Sequence, residues 1–179
     1  MLQIRLVLSA IVFLLPLQAS DPEVSDFSGV WQMDPSRSES AHQAVPIGPV
    51  TLVIKQNAAE VSIETRRGQN HKRGISSETL TYRLDGSESS TAGNSGVQIK
   101  AKAHWEGTKL ITETERNVQG STVTTVNVFS LDASGKELMV DKTLTVQHGY
   151  QFQGARNTGT ANTGTAKDVF IKSRASVKK

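Results

Sequence analysis

Residues 97 to 106 alternate without a break. Val97, Ile99, Ala101, Ala103 and Trp105 are apolar or small, and Gln98, Lys100, Lys102, His104 and Glu106 are polar or charged. A period of two sorts these residues onto the two faces of an extended strand, whereas a helix would scatter the apolar set around its whole circumference. The same period recurs in Leu52 and Ile54, in Val61, Ile63 and Thr65, in Leu80, Tyr82 and Leu84, and in Leu138, Val140, Leu144 and Val146. Turn-forming residues separate the runs: Asn57-Ala58-Ala59, Asp85-Gly86, Glu106-Gly107, Gln119-Gly120 and Asp132 to Gly135, with Gly135 expected at positive φ. The chain therefore predicts an all-β fold, an antiparallel up-and-down meander of about 8–9 strands. Closing it into a barrel removes the exposed edges that a long open sheet would leave. A flat two-sheet sandwich is the alternative.

The first strand is expected from Ser28 to Met33, stopped by Asp34-Pro35, because proline supplies no amide donor to a ladder. Residues 36–48 are polar and read as a turn or short helix crossing one mouth of the barrel. Residues 66–74 (RRGQNHKRG) form a basic loop, and residues 85–96, rich in Ser, Thr, Gly and Asn, a long one. The sequence 157–166 is the pentamer NTGTA written twice; it offers nothing to bury and reads as an expanded surface loop, followed by a closing strand from Lys167 to Arg174.

Met1 to Ser20 has one positive charge, Arg5, then an apolar run from Leu6 to Leu17, and reads as a cleavable signal peptide removed near Ala19. The run is short for a bilayer span and holds Pro16; an uncleaved anchor is the alternative. Organisation then follows as signal peptide 1–20, acidic leader 21–26, barrel domain 27–174 and basic tail 175–179. This places the mature chain outside the cytoplasm, periplasmic or secreted, without an integral membrane segment. The sequence has no Cys, which excludes disulfides, thiol catalysis, thiolate metal sites and a lipidated cysteine anchor. Removing Arg5 from 20 basic residues leaves 19 against 17 acidic ones, too small an excess to draw nucleic acid.

Motifs for chemistry are sparse. His42, His71, His104 and His148 show no metal-ligand spacing, so no metal or other cofactor is expected. Glu113 and Glu115 share one face of a strand beside Arg116, an arrangement that either offers paired carboxylates to a cavity or is simply solvated. No nucleophile motif or phosphate-cradling loop is present, and no catalytic residue is assigned. Tyr82, Trp105 and Phe129 are the aromatic residues expected to face inward, as ordinary core or as the lining of a ligand cavity.

The opening stretch Phe27-Ser28-Gly29, Trp31, Asp34-Pro35 and Ser38 resembles the N-terminal signature of lipocalins and the wider calycin group, and especially of exported bacterial lipocalin-like domain proteins. Tyr82 to Gly86, Trp105-Glu106-Gly107 and Leu131 to Gly135 extend the resemblance over most of the mature domain. It implies a barrel holding a small apolar ligand, with Trp31 closing one end beneath a cation from a late strand, Lys172 or Arg174. A second lipocalin motif with its Thr-Asp pair is absent. The functional expectation is thus an exported binding or carrier protein for a small apolar molecule. The alternative is a non-catalytic envelope module with a filled barrel and an unknown protein partner.

Overall fold

The computed structural model describes residues 24–44, 47–68, 76–93, 96–148 and 161–173. Ten strands occur in it: β1 (Gly29–Met33), β2 (Val50–Gln56), β3 (Glu60–Arg67), β4 (Ser76–Arg83), β5 (Ser89–Ala92), β6 (Gln98–Glu106), β7 (Lys109–Val118), β8 (Ser121–Leu131), β9 (Glu137–His148) and β10 (Ala161–Lys172). A 3-10 helix, Glu39–His42, stands between β1 and β2. All ten strands belong to one antiparallel sheet in the order β4-β3-β2-β1-β10-β9-β8-β7-β6-β5. Because β1 pairs with both β2 and β10, the sheet wraps into a barrel and does not split into the two layers of a sandwich.

Among the described residues the break in the ladder falls between β4 and β5, and side chains lace it. The Ser89 hydroxyl lies 3.1 Å from the Thr81 carbonyl on β4 and 3.2 Å from the Ala101 carbonyl on β6. Beside it Arg116 of β7 donates to both carboxylate oxygens of Glu78 of β4, at 3.1 and 3.2 Å. The barrel is therefore nearly closed although its two edge strands share no backbone ladder.

The short turns form as the residues dictate. Asn57 Oδ1 accepts from the amides of Ala59 and Glu60. Asp132 accepts from the amides of Ser134, Lys136 and Glu137 and from the Ser134 hydroxyl, and Gly135 has φ 66°. Those bonds hold the Asp132 carboxyl down at about 2, the Ser134 hydroxyl contributing most.

Two sequence expectations are corrected. The strand count is ten, because Ser89–Ala92 pairs with Gln98–Ala101 as β5; four small polar residues carry no apolar alternation by which to recognise a strand. The second NTGTA copy is part of a strand: Ala161 to Ala166 pair residue for residue with Gln147 to Lys142 of β9. Backbone ladder bonds need no apolar side chains, and threonine suits a pleated surface, so β9 extends its partner well before Lys167. Of the two readings of Glu113 and Glu115, the solvated one holds: they point outward, where they meet Lys102 at 3.1 Å and Lys100 at 3.7 Å. The signal peptide, the tail 175–179, most of the basic loop and residues 157–160 of the repeat lie outside the described residues.

Candidate functional site

One end of the barrel is stoppered by aromatic packing. Trp31 and Phe27 are fully buried, and the Trp31 indole N–H donates to the Phe27 carbonyl at 2.8 Å. The Phe27 ring stacks on Trp105 with centroids 5.9 Å apart and meets Phe129 edge-on at 6.3 Å. Lys172 lies opposite Trp31 in the β1–β10 register, and its Nζ stands 5.0 Å from the indole centroid. Gly29 makes room for that cation. A Cβ there would stand 2.9 Å from Lys172 Cε, and its φ of 143° is one that side-chain-bearing residues rarely adopt. Arg174, the other basic residue considered for this cover, lies outside the described residues.

Above the plug the barrel encloses a cavity of about 410 Å³. Its apolar wall includes Leu52, Ile63, Leu80, Phe129, Val140 and Phe170. Tyr82 and Phe129 line it. Trp105 does not: it stands in a shallow outer recess with Leu84 and Gln56, packed on Phe27. The strand alternation put Trp105 on the correct face, but its place at the end of β6 leaves it at the level of the stopper.

The polar groups of the cavity were not singled out from sequence. Asp168 is 1% exposed and accepts two hydrogen bonds from Ser40, from the amide at 3.0 Å and from the hydroxyl at 2.7 Å. Lys142 Nζ stands 3.6 Å from its Oδ2. These contacts tie the 3-10 helix to β10 across the barrel mouth. The tie is reinforced by Ser38, whose hydroxyl accepts from the Val169 amide at 3.0 Å, and by Glu39, which accepts from the Lys167 amide at 2.8 Å. Glu78 and Arg116 form the second charged pair in the lining. Deeper in, Thr112 bonds the Tyr82 hydroxyl and accepts from Asn127 Nδ2 at 3.4 Å. Burial pushes the Tyr82 phenol up to about 12, a rise that the bond to Thr112 only partly offsets.

A signal for these groups does exist. Period two places Leu110, Thr112, Thr114 and Arg116 on one face of β7, Glu78, Leu80 and Tyr82 on one face of β4, and Ala166, Asp168 and Phe170 on one face of β10. All of these are buried or line the cavity; Leu110 and Thr112 are buried without lining it. Following each apolar face along its whole strand, between and beyond its apolar residues, would have found them. Among the described residues, no group of three His, Asp or Glu side chains is placed to hold a metal ion, and no helix is long and apolar enough to cross a membrane.

No protein-family model matches the sequence, and no curated protein is significantly similar to it. Solved structures do resemble the fold. Lipid binding protein 8 of Caenorhabditis elegans superposes with a TM-score of 0.52 at 13% identity, covering 84% of this chain and 99% of its own. A heat soluble (SAHS) protein of Ramazzottius varieornatus superposes with a TM-score of 0.54 at 17% identity, covering 86% of this chain and 100% of its own. At such identities the likeness establishes the architecture alone, an antiparallel β-barrel.

Proposed function

We propose that this protein is an exported carrier or binding protein for a small, largely apolar molecule, held inside the barrel. The observation that carries the reading is the cavity of about 410 Å³ with its mainly aliphatic and aromatic wall. Pockets of roughly 300–1,000 Å³ lined in this way are the usual seats of small ligands. The name of the nematode neighbour, a lipid binding protein, is in keeping with this. Export rests on the leader Met1 to Ser20, with a periplasmic or secreted destination. Lys172 over Trp31 is assigned the role of end cover, and Tyr82 and Phe129 that of ligand contacts. The alternative, an envelope interaction module with a filled barrel, fits less well because so much internal space remains open.

Titration of delipidated protein with the neutral dye Nile red tests the reading. Saturable, blue-shifted emission is expected from the wild type. Ala166→Trp, which puts an indole into the cavity, is expected to weaken binding by about tenfold or more. Equal binding by both proteins would place the dye elsewhere; absence of binding by the wild type would remove the carrier reading.

A further inference from the structure

Among the described residues, the charges inside the cavity occur as matched pairs. Arg116 meets both oxygens of Glu78, and the side chains of the two are only 28% and 20% exposed. Lys142 meets Asp168, whose two oxygens are also occupied by Ser40. The third cation of the lining, Arg67, is exposed at the end of β3, where water and salt screen it. No buried side-chain nitrogen or oxygen among the described residues lacks a hydrogen-bond partner. An anion entering this space therefore finds both interior cations already countered, with a carboxylate beside each.

Shedding its own hydration, such an anion would have to break an existing ion pair and leave a carboxylate uncompensated in a poorly solvated space. A neutral hydroxyl meets no such obstacle. It both donates and accepts, and Tyr82, Thr114, Thr125 and Asn127 of the cavity lining carry groups that do the same. Resting on the carrier reading above, we infer that the cavity selects a lipid-like ligand with a neutral, hydroxyl-bearing head group and discriminates against a free carboxylate. Glu78 and Asp168 are the residues that set this selectivity, by keeping Arg116 and Lys142 engaged.

Displacement of Nile red by dodecanol and by dodecanoate, at about pH 8 where the acid is ionised, gives the test. The quantity read is the ratio of the two dissociation constants, which removes the shared contribution of the alkyl chain. In the wild type dodecanoate is expected to bind at least about tenfold more weakly than dodecanol. Glu78→Gln frees Arg116 and is expected to move the ratio toward dodecanoate by about tenfold; the double variant Glu78→Gln, Arg116→Gln is expected to lose that gain. Asp168→Asn, which keeps an acceptor for Ser40 while freeing Lys142, gives the same test at the other pair. Tighter binding of dodecanoate by the wild type, or a ratio that neither single variant moves, overturns the inference while leaving the carrier reading in place. Should the variants fail to fold, the wild-type ratio still decides. Nile red that never binds overturns the carrier reading instead.

Discussion

Gly29 shows how a single residue couples sequence to architecture. It stands two positions before Trp31 on the same side of β1, and its missing side chain lets the Lys172 stem cross the indole. Gly29→Ala would force both a strained backbone angle and a displaced lysine. The expected loss is about 1–3 kcal/mol of stability, seen as a lower midpoint in urea unfolding at unchanged slope. An unchanged midpoint would mean that the lysine gives way freely and that the glycine serves no packing purpose here. Phe27, noticed in the sequence only as the residue ahead of the glycine, is the centre of the same stopper, because its ring is shared between Trp105 and Phe129.

The element with least intrinsic stability is the 3-10 helix at the barrel mouth. Four residues form too short a turn to persist alone, so its position depends on bonds to β10. Ser38, Glu39 and Ser40 each contribute at least one, and Ser40 satisfies the buried Asp168. Ser40→Ala leaves Asp168 with the Ser40 amide and Lys142 alone. It is expected to destabilise the protein by about 1–3 kcal/mol and to raise amide exchange of residues 38–42 ahead of the rest of the molecule. Uniform loss of protection across the barrel would instead assign the helix to the global folding unit. Residues 36–48 were expected to turn across a mouth, and the composition supports that much; their anchor was hidden because a serine and an aspartate 128 residues apart show no pattern in a linear sequence.

At the scale of the whole molecule, stability depends on pH from two directions. Asp132, held at about 2 against an ordinary 3.8 by its turn bonds, and Asp34, lowered by the Ser36 hydroxyl and by Arg37, bind protons more readily in the unfolded chain. The contribution of Asp132 is present above the ordinary carboxylate value and disappears as pH falls through about 2, and that of Asp34 is lost in the same direction as the solution is acidified. Tyr82 acts in the opposite sense. Its phenol stays protonated in the barrel up to about 12 but ionises near 10 when unfolded, so its contribution is complete below pH 10 and is lost as pH rises to about 12. In Tyr150→Phe, which leaves Tyr82 as the sole tyrosine, phenolate absorbance is expected to rise only near pH 12 or on alkaline unfolding, whichever comes first. A midpoint near 10 in folded protein would mean that water reaches the phenol.

Period-two alternation and turn residues fixed the all-β class, the meander and most strand faces from sequence alone, since each depends on interactions between residues a few positions apart. β5 and the first half of β10 escaped because ladder hydrogen bonds join backbones and leave no mark on polar side chains. Wrapping of the sheet, the cavity, the pairing of Glu78 with Arg116 and the seat of Asp168 beneath the 3-10 helix were decided by the tertiary structure. They depend on which distant strands become neighbours once β1 meets β10, and strand periodicity carries direction and face but no information about that closure.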